Sequence, residues 1–176
     1  MKISIIGYSG SGKSTLCKNI ANKYKINKLY LDTIHWLPNW VEKEKDLEIK
    51  ELTEFLDSNT SWIIDGNYFS LLLDRRLDES DKIIILKLNR FSCLHRAIKR
   101  KNRFKNKSRE SITNGCEERI DFSFAMWILF TGRTYKRRKK YKDIASKYKD
   151  KCIIIRNQKE LNDYYKLENI DNKYDD

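Results

Sequence analysis

Apolar residues in this chain come in short β-branched runs separated by stretches with helical spacing. Lys2-Ile3-Ser4-Ile5-Ile6 ends at Gly7 and has the look of a buried strand. Lys13 to Lys25 then carries Leu16, Ile20 and Tyr24 on one helical face, with Cys17 and Ala21 beside them. Lys28-Leu29-Tyr30-Leu31 predicts a second strand, followed by a loop from Asp32 to Trp40 that holds the only proline, Pro38. A charged helix is expected from about Glu42 to Ser58, with Leu47, Leu52, Phe55 and Leu56 on one face. Trp62-Ile63-Ile64 predicts a third strand, closed by the turn signal Asp65-Gly66-Asn67, and Phe69 to Leu77 reads as helix.

Lys82 to Leu88 is the clearest strand, and Phe91 to about Phe104 follows as a basic helix. Lys101 to Glu118 is charged and poor in apolar residues, the pattern of an exposed loop or flap. Helical periodicity returns from about Ile120 to Tyr148, apolar at first (Phe122, Phe124, Met126, Trp127, Leu129, Phe130) and then basic. Cys152 to Ile155 is a last strand, leading to a short helix near Gln158 to Leu167 and a polar tail. Strands alternating with helices, each strand apolar enough to be buried on both faces, predict an α/β fold with a parallel sheet of about five strands and helices on both sides. At 176 residues this is one domain, expected to span 1–170, with 171–176 frayed.

The first strand and first helix are joined by Gly7-Tyr8-Ser9-Gly10-Ser11-Gly12-Lys13-Ser14-Thr15, a full match to G-x-x-x-x-G-K-[ST]. Three of the six glycines fall in this loop. Backbone N–H groups must turn inward around a phosphate, which a Cβ obstructs, and the next helix adds its positive end. The motif assigns Gly7, Ser9, Gly10, Ser11, Gly12, Lys13, Ser14 and Thr15 to an ATP phosphate site, with Lys13 on the β and γ phosphates and the Ser14 hydroxyl on Mg²⁺. Phosphoryl transfer also needs a carboxylate near the metal and a group to orient the nucleophile. No apolar run ends in Asp-Glu, but Asp65 and Asp32 each end a predicted strand, at the sheet edge where ligands of open α/β sheets bind. A turn or helix-cap role is the alternative for each. His35, Trp36, Trp40 and Tyr68 follow these aspartates and fit either a pocket for a base or sugar or ordinary loop packing.

Charge refines the picture. The chain carries +12, and residues 82–142 hold 19 Lys and Arg against 4 Asp and Glu, so the excess lies in one third of it. Such a block implies a polyanionic partner: nucleic acid, a membrane surface or nucleotide phosphates. Arg96, Arg100 and Arg103 share a helix face, while Arg133, Arg137 and Arg138 lie on the later helix. Guanidinium groups can neutralise charge on a transferred phosphoryl group, and a solvated basic face is the alternative. Four scattered cysteines without a CxxC pair indicate neither zinc nor disulfides. No apolar run nears the roughly 18–20 residues of a membrane span, and the first apolar run is too short for a signal segment, so a cytoplasmic location without membrane partner is expected.

The order of the phosphate loop, Leu31-Asp32-Thr33-Ile34-His35-Trp36, Trp62-Ile63-Ile64-Asp65-Gly66-Asn67-Tyr68, a basic helix, a flap and a second basic helix resembles the DNA topology modulation protein family, within the adenylate-kinase-like P-loop proteins. The resemblance runs to about residue 167. It implies a three-layer α/β/α P-loop NTPase fold of the nucleoside-monophosphate-kinase kind, a helical substrate-binding region near 33–60 and a helical lid near 101–122. It further implies that Asp65 stands near Mg²⁺, that Arg100 and Arg103 lie at the lid hinge, and that Arg133 and Arg137 contact the transferring phosphate. Asn67-Tyr68 stands where adenylate kinases have Phe-Pro-Arg, so the residue that grips AMP is absent. The expectation is an ATP- and Mg²⁺-dependent kinase with catalytic residues Lys13, Asp32, Asp65, Arg100, Arg133 and Arg137, and with Ser14 and Asp65 on the metal. A nucleotide-gated DNA-binding protein, gripping backbone phosphates non-specifically through residues 82–142, is the alternative; no sequence-reading motif is present.

Overall fold

In the computed structural model, which describes residues 1–104, 109–117 and 120–171, five parallel strands form one sheet flanked by helices. The chain runs β1 (Lys2–Gly7), α1 (Lys13–Tyr24), β2 (Asn27–Tyr30), α2 (Leu31–His35), β3 (Trp36–Leu37), β4 (Val41–Glu42), α3 (Lys45–Ser58) and β5 (Trp62–Asp65). It continues through α4 (Leu73–Glu79), β6 (Lys82–Leu86), α5 (Arg90–Arg103), α6 (Phe122–Leu129), α7 (Tyr135–Lys147), β7 (Cys152–Ile155) and α8 (Gln158–Leu167). The main sheet has the order β2-β5-β1-β6-β7. Connections leaving β1 and β6 therefore run to opposite sides, which opens a crevice over the carboxyl end of β1. Both sheet faces are covered, because successive residues of β5 feed different cores: Ile63 packs with Ile3, Ile5 and Leu16, whereas Trp62 and Ile64 pack with Leu31, Leu52 and Leu56.

Several boundaries differ from the sequence pattern. Leu31 opens α2 instead of closing β2, because Leu31 and Ile34, a turn apart, both enter the second core and the Thr33 hydroxyl donates to Tyr30 O at 2.7 Å. Asp32 thus stands on the first turn of a helix, and the rest of the expected loop is the antiparallel hairpin β3–β4. Helix α3 starts at Lys45, and its inward row is Glu48, Leu52 and Leu56, with Leu47 exposed. The charged Glu48 is drawn in by His35, whose Nδ1 lies 2.5 Å from Glu48 Oε1. Helix α4 covers only 73–79, and β6 ends at Leu86.

The long helix expected over 120–148 is broken by a 3₁₀ turn, Thr131–Arg133. A Cβ on Gly132 would lie 2.6 Å from Trp127 O, so the chain folds back tightly there, and the Thr134 hydroxyl caps α7 by accepting from Arg137 N. Of the apolar residues expected to drive this helix, Phe122, Trp127 and Phe130 are exposed, and Ile128 supplies the buried contact.

The expected flap is not simply exposed. Lys101 to Arg103 belong to α5, residues 105–108 and 118–119 lie outside the described residues, and Ser111, Ile112 and Cys116 are buried. Segment 109–117 docks on the β3–β4 hairpin. The Thr113 hydroxyl donates to Trp36 O, the Cys116 thiol to Leu37 O at 3.3 Å, Asn39 N to Gly115 O at 3.2 Å and Trp40 Nε1 to Glu117 O at 3.2 Å. At its other end Glu110 bridges Lys18 of α1 at 2.9 Å and Lys28 of β2 at 2.8 Å. Of the expected frayed tail, 172–176 lies outside the described residues.

Candidate functional site

The glycine loop crosses the crevice between β1 and α1. Gly10 takes φ +74°, and a Cβ there would meet Cys93 O at 2.4 Å, so the backbone lies directly on α5. Gly12, at φ +92°, starts α1 without a side-chain cap, which leaves the helix's amino end facing the cavity. Arg96 braces this turn from α5, donating from Nη1 to Ser11 O at 3.0 Å and from Nη2 to Gln158 Oε1.

Gly10, Gly12, Lys13, Ser14 and Thr15 form one wall of a cavity of about 490 Å³. Lys18, Arg96, Arg100 and Arg103 line it from α1 and α5, and Arg109 with Glu110 closes it from the flap. Six cations thus face one space with a single carboxylate. Lys13 Nζ rests on Tyr8 O at 3.1 Å, inside the loop. Gly7, Ser9 and Ser11 belong to the loop but not to the cavity wall; Ser9 is half-buried on the turn, and the Ser11 hydroxyl is buried without a hydrogen-bond partner among the described residues.

Behind the loop, Ser14 Oγ donates to Asp65 Oδ2 at 2.6 Å. Asp65 is 6% exposed, and its Oδ1 has no hydrogen-bond partner among the described residues. Burial pushes the Asp65 carboxyl above the usual carboxylate value; Lys13 and the Ser14 hydroxyl pull it down, Asp32 adds to the rise and Arg109 opposes it. A buried carboxylate with one orphaned oxygen, beside a hydroxyl and a lysine, fits a site completed by a cation. No group of three or more acidic, His or Cys residues forms a metal cage among the described residues, and Mg²⁺ is commonly held by one or two protein oxygens together with phosphates and water.

Asp32 lies outside the cavity wall, two residues past Tyr30, which is the β2 partner of Asp65 in the sheet register. Its Oδ1 accepts from the Tyr68 hydroxyl at 2.7 Å. Burial, then the Asp32 charge and this hydrogen bond, hold the Tyr68 phenol far above its ordinary value, so it stays a donor. His35 packs 4.6 Å from Tyr68, ring to ring, and Trp36 packs edge-on to both His35 and Trp40.

The two later arginines lie apart from the cavity. Arg133 donates to Ile128 O and Leu88 O at 2.8 and 2.9 Å and stacks 3.8 Å from the Tyr8 ring centre, while Arg137 lies over Trp127 at 4.3 Å.

Three contributors were missed by the sequence reasoning. Asn67 clips the loop to β5, its Oδ1 accepting from Gly7 N at 2.9 Å and its Nδ2 donating to Gly7 O at 2.8 Å; the Tyr141 hydroxyl donates to the same Oδ1 at 3.1 Å. Arg76 is fully buried and fans its guanidinium onto Leu71 O, Gly66 O and Tyr68 O at 2.9, 3.2 and 3.0 Å, with a longer contact to Asn67 O at 3.5 Å. Arg109 was hidden in the charged flap; its place in the wall of the cavity that the glycine loop also lines is a product of the fold.

No model of a known protein family matches the chain, and no curated protein matches it.

Proposed function

We propose that this chain is a P-loop kinase of the nucleoside-monophosphate-kinase kind, which binds ATP with Mg²⁺ and transfers the γ-phosphoryl group to a small acceptor. The observation that carries the reading is the cavity itself: a G-x-x-x-x-G-K-S loop and a helix amino end facing Lys13, Lys18, Arg96, Arg100, Arg103 and Arg109. A triphosphate carries about four negative charges, and six converging cations suit it. The parallel sheet whose strands, counted along the chain, lie in the order 2-3-1-4-5 supports the three-layer P-loop assignment.

In this reading the loop N–H groups and Lys13 hold the phosphates. Ser14 and Asp65 hold Mg²⁺, which when bound neutralises phosphate oxygens. Arg100, with its neighbours on α5 and Arg109, balances charge on the transferred group, and Phe104 offers an aromatic surface to the base. Arg133, which stacks on Tyr8 of the phosphate loop, and Arg137, which lies over Trp127, stand outside the cavity wall. The flap, pinned by Glu110, keeps water from the reacting phosphate. The protein would work in the cytoplasm: its four cysteines form no disulfide, and among the described residues no helix is long and apolar enough to cross a membrane.

The test is calorimetric titration with a non-hydrolysable ATP analogue and Mg²⁺. Binding in the micromolar range that is lost at least tenfold in Lys13→Ala is expected; an unchanged affinity in that variant would sink the proposal. A second reading, binding of nucleic acid, draws on the exposed basic face of α7, where Lys136, Arg138, Lys139, Lys140 and Lys142 lie outside the cavity beside exposed Tyr135. Its sign would be duplex affinity that responds to ATP.

A further inference from the structure

Resting on the proposed binding of ATP at the glycine loop, we infer that Arg133 is a positioning residue for that loop. It holds Tyr8, and through the Tyr8 carbonyl the Lys13 ammonium, in the geometry that grips the nucleotide phosphates, without touching the nucleotide itself. The argument starts from where its donors go. Nε donates to Ile128 O at 2.8 Å, Nη1 to Leu88 O at 2.9 Å and Nη2 to Cys93 Sγ at 3.2 Å, so every guanidinium nitrogen has a partner. The three partner residues are buried, and Arg133 does not line the cavity. Sending this side chain to a phosphate would give up all three bonds, and acceptors on buried residues are costly to strip.

What the guanidinium meets instead is the phosphate loop, at two places. Its central carbon lies 3.8 Å from the centre of the Tyr8 ring, a cation–π contact to a residue 7% exposed. Its thiol partner, Cys93, is also the residue whose carbonyl abuts Gly10, so closely that a Cβ on Gly10 would lie 2.4 Å away. The Tyr8 main chain is in turn the scaffold of the loop. Tyr8 N donates to Leu86 O at 3.0 Å, and Tyr8 O accepts from Ser11 N at 3.2 Å and from Lys13 Nζ at 3.1 Å. A shift of the Tyr8 ring therefore moves the carbonyl that orients the lysine.

The base that carries Arg133 is itself fixed. Arg133 closes the 3₁₀ turn Thr131–Arg133, its own N–H donates to Phe130 O at 2.8 Å, and Gly132 is pressed against Trp127 O. Tyr141 of α7 adds to the hold: its ring meets the Tyr8 ring edge-on at 5.5 Å, and its hydroxyl donates to Asn67, which clips Gly7. The consequence is a distinct signature. A brace on Tyr8 acts alike on every nucleotide that uses Lys13 and the loop, whereas an arginine on the transferring phosphate acts only on nucleotides that carry one.

The experiment uses the full chain with Mg²⁺ and measures affinity by calorimetry for a non-hydrolysable ATP analogue and for ADP, with the thermal midpoint of each variant recorded. Arg133→Met is expected to weaken both nucleotides by the same factor, about 3- to 30-fold, the span of a cation–π contact from exposed to desolvated. Tyr8→Leu should do likewise, and the double variant should lose clearly less than the product of the two single losses, because each removes the same contact. Arg133→Lys, whose ammonium cannot serve both carbonyls and the ring together, goes through the same cycle with the same pattern expected, and decides the matter if Arg133→Met does not fold. A role confined to holding up the fold would lower the thermal midpoint and leave affinity below that midpoint unchanged. Affinities within about twofold of wild type in the folded Arg133 variants, a loss confined to the ATP analogue, or losses that multiply in the double variant would each overturn the inference and leave nucleotide binding in place. A wild-type chain that binds neither nucleotide would remove the reading on which the inference rests, and the inference with it.

Discussion

Replacing Arg76 with methionine tests how the loop beside the phosphate site is held. The side chain is fully buried and its three shorter hydrogen bonds, at 2.9, 3.0 and 3.2 Å, go to carbonyls of residues 66–71. A net hydrogen bond involving a charged group contributes roughly 1.5–3 kcal/mol, so the fan contributes about 5–9 kcal/mol. Burial works the other way, drawing the guanidinium down to about 10 from above 12. At about 1.4 kcal/mol per tenfold in proton affinity, that costs about 3 kcal/mol, which methionine recovers. The balance is a loss of about 2–6 kcal/mol. With a urea dependence of about 1–3 kcal/mol per molar, the unfolding midpoint should fall by roughly 1–3 M. Arg76→Lys should do no better, since an ammonium keeps the burial cost but cannot reach carbonyls spread over that span. A midpoint for Arg76→Met within about 0.5 M of wild type, or a near-normal Arg76→Lys protein, would refute the reasoning.

Asn67→Ala removes both bonds to Gly7 and should weaken binding of the ATP analogue about 5- to 30-fold by calorimetry, about 1–2 kcal/mol; Asn67→Asp should be worse, because it sets a carboxylate against Gly7 O. The flap should also respond to acid. Burial raises the Glu110 carboxyl, but its bonds and charge contacts with Lys28 and Lys18 outweigh this and hold it below the usual value. With the folded value depressed, the latch is complete above the ordinary carboxylate range, about pH 4.5, and is lost as pH falls through the lower folded value. Hydrogen exchange at 109–117 should accelerate in that window, whereas Glu110→Gln should exchange faster at neutral pH and lose the acid step.

How far the site could be read from sequence depended on whether its chemistry is local. The phosphate loop is a backbone device whose glycine spacing announces it, and the pairing of Ser14 with Asp65 follows once both are assigned to the edge of a parallel sheet. Arg76, by contrast, looks like any residue of the charged run Asp74-Arg75-Arg76, because only the fold turns it inward to meet four carbonyls. Glu48 misled in the same way: helical spacing favoured Leu47, but the partner that makes a buried carboxylate tolerable, His35, comes from another element. The break at Gly132 was invisible because the apolar pattern runs up to it and the basic helix resumes just beyond, while its cause, a close approach to Trp127 O, is a tertiary contact.

The docking of 109–117 on the β3–β4 hairpin joins two segments that the chain separates by nearly eighty residues. Arg109 at one end of that segment faces the cation-rich cavity, and the rest of it holds the hairpin that carries Trp36 and Trp40. A ligand that drew on Arg109 and one that lay against the hairpin would therefore act on the same docked segment. By reciprocity, whatever factor one occupant changed the other's affinity by would be returned in full. Any such linkage would run through four hydrogen bonds to main-chain carbonyls, three of them from side chains, without a dedicated regulatory site.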